Sequence, residues 1–180
     1  QNGINGEVHN TAVGYIAGDG ITTGRWNTLV GSETGGGTTA SGSVHLGKGA
    51  GGSVSTGNNN IAIGLGAIDG GTVTGDNNIA IGASAGDALT SGHSNVLIGK
   101  DAGGAMATSA AAGSVFIGHS AGSGNTTGAG NTAVGYNAMG DSGGTTAGTS
   151  DANTAIGYGA MSGDWADALT RRNTAVGVYT

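Results

Sequence analysis

The chain has 180 residues, of which 42 are glycine and one is phenylalanine, with no proline and no cysteine. That composition leaves too little bulk for a conventional two-layer core, and it excludes disulfide staples, thiolate metal sites and a collagen triple helix, which needs strict glycine triplets with ring residues. Eleven acidic against five basic residues give a net charge of -6 without a basic cluster, so nucleic acid is not an expected partner.

No apolar run approaches the roughly 20 residues that span a bilayer, so no membrane insertion is expected. No basic start followed by an apolar core marks a signal peptide. The lack of thiols fits an exported, extracellular protein.

In chain order, one five-residue phrase recurs ten times, at 10–14, 27–31, 43–47, 60–64, 78–82, 95–99, 114–118, 131–135, 153–157 and 173–177. Its variants run from Asn-Thr-Ala-Val-Gly to Asn-Ile-Ala-Ile-Gly and Ser-Val-Phe-Ile-Gly. Closing glycines are separated by 17, 16, 17, 18, 17, 19, 17, 22 and 20 residues. A period of about 18 lies in the range of stacked supersecondary units. Each phrase is short, rich in β-branched residues and closed by glycine, and none carries a 3.6-residue pattern, so strands are expected. The fold class is therefore all-β: a parallel β-solenoid, or β-roll, of about ten coils. Residues 1–180 form one repeat domain, roughly 48 Å long at about 4.8 Å per coil.

The first position is asparagine in eight coils (Asn10, Asn27, Asn60, Asn78, Asn95, Asn131, Asn153, Asn173) and serine in two (Ser43, Ser114). A structural side-chain ladder is expected there. The fourth position is always aliphatic: Val13, Val30, Leu46, Ile63, Ile81, Ile98, Ile117, Val134, Ile156 and Val176. This column is expected to form the core, with the second position on the same inward face.

Alternation would then turn the third position outward. It is apolar in nine of ten coils, with His45 the exception. A strip of that length calls for a second copy of the chain, with Leu29, Ala62, Leu97, Phe116 and Ala133 as expected oligomer contacts.

After each phrase, Gly-x-x-Ala or Gly-x-x-Thr is expected to turn a corner. A weaker second strand is expected at Val54-Ser55, Val73-Thr74, Leu89-Thr90 and Met106-Ala107. Two segments break the regularity, 139–152 and 161–172. Insertions in solenoids gather on one face, so Trp165, Arg171 and Arg172 form a candidate binding loop.

No catalytic, cofactor or metal site is expected. The acids hold no fixed place in the repeat, unlike those of calcium-binding β-rolls, and His9, His45, His93 and His119 are isolated in sequence. Gly47-Lys48-Gly49-Ala50-Gly51-Gly52 matches a nucleotide-loop pattern but opens no helix, so it carries no inference.

The Asn-Thr-Ala-Val-Gly-Tyr and Asn-Ile-Ala-Ile-Gly phrases resemble the head repeats of YadA-like trimeric autotransporter adhesins, and equally repeats of phage tail fibres. The resemblance covers all ten coils, although the coils are longer than those of adhesin heads. It implies a left-handed β-roll, a homotrimer of side-by-side chains, and a non-enzymatic structural or adhesive role in an extracellular fibre, at a cell surface, in a secreted fibre or on a virion. A cell-surface or glycan receptor would be the external partner. A second reading is a self-assembling filament whose open coil ends stack head to tail. A third, weaker one is an ice- or glycan-binding solenoid.

Overall fold

The computed structural model describes residues 9–37, 39–106, 111–140, 150–163 and 171–180. Among the described residues it is all-β without a helix, a solenoid of about nine turns with about 17 residues per turn. The ten phrases supply ten three-residue strands: β1 (Thr11–Val13), β2 (Thr28–Val30), β3 (Val44–Leu46), β4 (Ile61–Ile63), β5 (Ile79–Ile81), β6 (Val96–Ile98), β7 (Val115–Ile117), β8 (Thr132–Val134), β9 (Thr154–Ile156) and β10 (Thr174–Val176). They form one parallel sheet in sequential order, and each residue pairs with its counterpart in the next coil.

The inward face is the opposite of the one expected from the sequence. In β4, β5, β6 and β8 the middle residue is buried and its two neighbours are only half-buried. Leu29, Ala62, Leu97, Phe116 and Ala133 are therefore core residues, each at most 1% exposed, and cannot be oligomer contacts. The fourth-position column is not the core. Val13 is 58% exposed, Leu46 45%, Ile117 38%, Ile156 41% and Val176 66%, while Val30, Ile63, Ile81, Ile98 and Val134 are half-buried.

The physical reason is space. A coil of about 17 residues encloses a thin cross-section, and three inward columns already fill it. These are the third position, the alanine three residues past the closing glycine (Ala50, Ala67, Ala85, Ala102, Ala121, Ala138, Ala160), and the far-side residues Val54, Val73, Leu89 and Met106. A column of isoleucines pointing inward would overfill it.

Size is matched across six residues. Leu29, His45, Leu97 and Phe116 lie over Gly35, Gly51, Gly103 and Gly122, where an added Cβ would collide with them. Where the third position is Ala62, Ala133 or Ala155, the partner is Ile68, Met139 or Met161. Ala12 and Ala80 face Gly18 and Gly86, and there the side chains of Leu29 and Leu97 from the next coil fill the gap. Each layer is thus filled by a bulky group from one side of the coil, from the other, or from the neighbouring coil.

The closing glycines have a separate cause. Gly82 has φ 136°, and a Cβ on it would stand 2.5 Å from the carbonyl oxygen of Gly99. The same clash with the next glycine recurs from Gly14 to Gly157. Only glycine allows this corner to stack at inter-strand spacing. The expected second strands reduce to one isolated parallel bridge, Val54 with Val73, because that side of the coil is turning. Ala107 lies outside the described residues.

Candidate interaction face

The first-position column is a continuous ladder just inside the strand entry. Asn27, Asn60, Asn78, Asn95, Asn131 and Asn153 are buried. The backbone N–H of Asn78 donates to Asn60 Oδ1 (2.9 Å), that of Asn95 to Asn78 Oδ1 (3.1 Å), and that of Ser114 to Asn95 Oδ1 (2.9 Å). The ladder starts with Asn10 accepting from Asn27 N–H and ends with Asn153 accepting from Asn173 N–H. Nδ2 completes the pattern by donating to a far-side carbonyl, from Asn60 to Gly75, Asn78 to Gly92 and Asn95 to Ala111. The residue before the ladder adopts positive φ in several coils, as at Asn59 (56°), Asn77 (60°) and Ser94 (60°). With their hydrogen-bonding capacity used internally, these side chains hold the coil closed and offer nothing to a ligand.

What the fold presents to solvent is the outer side of the sheet. Its twenty positions, the second and fourth of each phrase, are fifteen aliphatic residues and five threonines, with no charge. The face measures on the order of 500 Å² for ten strands at about 4.8 Å spacing. Of the fourteen large hydrophobic residues exposed among the described residues, six lie on this face (Val13, Val44, Leu46, Ile117, Ile156, Val176). Five more, Tyr15, Leu65, Tyr136, Tyr158 and Val178, occupy the column just past the closing glycine.

That bordering column also carries an aromatic stack. His119 and Tyr136 lie with centroids 5.1 Å apart and Tyr136 and Tyr158 5.0 Å apart, nearly coplanar in tilt, and Tyr179 meets Tyr158 edge-on at 5.3 Å. The exposed Tyr158 hydroxyl is raised above its ordinary value by its hydrogen bond to Tyr179. Toward the N-terminal coils the border is ionic: Lys48 pairs with Glu33 at 3.9 Å, and Lys100 pairs with Asp101. An apolar strip with a polar and aromatic edge has the anatomy of a protein interface.

Trp165 lies outside the described residues. Arg171 is held by Asp151, Nε to Oδ2 at 3.3 Å, and Arg172 is exposed. Among the described residues no group of three His, Cys, Asp or Glu side chains could hold a metal. His45 is buried, whereas His9, His93 and His119 are exposed and widely spaced along the chain.

The parity of the sheet was the signal missed in the sequence, and the reciprocal sizes six residues apart would have revealed it. Comparison with protein-family models, with characterised proteins and with solved structures returned no match.

Proposed function

We propose that this chain is a non-enzymatic structural and adhesive segment of an extracellular fibre, built by side-by-side association of identical chains through the outer face of the sheet. The observation that carries this reading is the uncharged strip of Ile61, Ile63, Ile79, Ile81, Val96, Ile98, Val115 and Ile117 in the central coils. A strip of this size is at the upper end of what a soluble monomer leaves bare. Threonine and β-branched side chains in parallel register give a flat surface that a second copy matches by symmetry, and three copies close a ring. The resemblance to adhesin-head and tail-fibre repeats supports the same assembly.

Contacts to a receptor would then fall on the corners and the bordering column, which assembly leaves accessible.

Light scattering on the native protein tests the assembly. A trimeric mass at micromolar concentration, reduced to a folded monomer by the double change Ile81→Lys and Ile98→Lys, supports it. A monomeric native mass sinks it. Long filaments in micrographs would instead favour head-to-tail stacking.

A further inference from the structure

Every third-position side chain is apolar except His45. It is 2% exposed and stands in register between Leu29 and Ala62, and neither Nδ1 nor Nε2 has a hydrogen-bond partner. The ring lies against Gly51, where a Cβ would collide with it. It borders a small pocket lined by Ile21, Asn27, Leu29, Gly35, Ala40 and Val54.

The one polar side chain of that wall is already committed. Asn27 donates through Nδ2 to the Ala40 carbonyl at 2.8 Å and accepts at Oδ1 from Ser43 N–H at 2.9 Å. No residue packed around the imidazole titrates. Glu33 and Lys48, the ionisable groups carried by the corners of these coils, lie on the solvent side and pair with each other, and Asp69 of the following coil accepts from Ser53 Oγ at 3.2 Å.

We propose that His45 is an acid-sensitive weak point of the rod: a proton taken up by the imidazole in this partnerless pocket opens the coils between Gly31 and Gly64, while the coils beyond Gly82 stay closed. A cation in an apolar pocket without an acceptor is strongly disfavoured. Because coils of a solenoid couple mainly to their neighbours, the response is local opening rather than global unfolding.

The direction follows from burial, which lowers the His45 pKa from 6.5 to about 4. The opened coils bind the proton below about 6.5, and the closed coils bind it only below about 4. Closure is therefore fully favoured above that range and loses ground as pH falls through it. The opening constant should rise roughly 20-fold between pH 7 and pH 5 and roughly 100-fold by pH 4.

Hydrogen exchange on the full chain, with rates corrected for intrinsic chemistry, reads this opening at the amides of Val44, Gly47 and Gly64. These donate to the carbonyls of Asn60, Val30 and Leu46. Protection there should fall with acid by the stated factors while that of Val115 and Gly118 holds. The paired change His45→Ala with Gly51→Ile, which copies the Ala62 and Ile68 arrangement, should abolish the difference.

Equal acid sensitivity in the paired variant and the native chain would overturn the proposal. A nuclear magnetic resonance titration of His45 in the native protein decides it even if the variant fails to fold. An imidazole that stays neutral down to about pH 4 upholds the proposal, and one that titrates near 6.5 with the coils closed overturns it.

Discussion

Asn125 donates through Nδ2 to the carbonyl of Gly128 at 2.8 Å and accepts from Gly128 N–H at 3.1 Å. In other coils the equivalent carbonyl receives the amide of the ladder asparagine, as Ala40 does from Asn27 and Ser150 from Asn131. Ser114 accepts from Asn131 N–H through Oγ but has no amide to give. Asn125 replaces the missing donor from within the same turn, so a break in the ladder is compensated locally.

Asn125→Ala should therefore destabilise the chain by about 1–3 kcal/mol, the cost of leaving a buried carbonyl without a donor. Adding Ser114→Asn should recover much of that loss. Urea melts of the single and double variants check this; equal midpoints for the two would show that the ladder position and Asn125 do not share an acceptor.

Within the ladder itself, Asn78→Ala removes the acceptor of Asn95 N–H and the donor to Gly92. A cost of about 2–4 kcal/mol is expected for two buried groups left unpaired. Asn78→Ser should cost less, because Ser43 and Ser114 already fill this position while still accepting through Oγ. Identical thermal midpoints for the alanine and serine variants would contradict a hydrogen-bonding role.

Phe116→Ala should cost about 3–5 kcal/mol, as expected for emptying a buried aromatic site. The second change Gly122→Met, which reproduces the pairing of Ala133 with Met139, should restore part of it. The positive φ of 49° at Met139 shows that methionine occupies this corner. A double variant less stable than Phe116→Ala alone would mean that the six-residue size match carries no energy.

Asp87 lies near Asp101, and its carboxyl is raised above the ordinary value first by burial and then by that neighbouring charge, against a lowering hydrogen bond from Ala88 N–H. A raised folded value means stability that is present at low pH and lost as pH rises through it. Asp87→Asn should therefore stabilise the chain at pH 7 by a few tenths of a kcal/mol, a small figure because the group is largely solvated, and leave it unchanged near pH 3. Paired melts at the two pH values read the difference.

The strands and their stacking were legible because glycine closes every phrase and β-branched residues fill it. Which face turned inward was not. Isoleucine at positions 61, 63, 79 and 81 reports that a strand forms, and it does so equally well on a buried face and on an outer one. Ala62 and Ala80 read as part of an outward strip awaiting a second copy, yet alanine is what a narrow interior accepts. The cue that distinguishes them is the exchange between Leu97 with Gly103 and Ala133 with Met139, which depends on pairing residues six apart rather than on any one column. The buried His45 left no trace in local sequence, since nothing beside it supplies a partner or marks its pocket.

Leu97 and Ile98 are consecutive residues of β6, the first 0% exposed and the second half-buried on the outer face. Thermal unfolding of Leu97→Lys and Ile98→Lys, followed by circular dichroism, tests this orientation most directly. Leu97→Lys should lose the cooperative transition, because it buries an unpaired charge, while Ile98→Lys should keep its strand signal and a cooperative melt. A stable Leu97→Lys beside an unfolded Ile98→Lys would return the fourth position to the core and contradict both the inward column and the proposed outer interaction face.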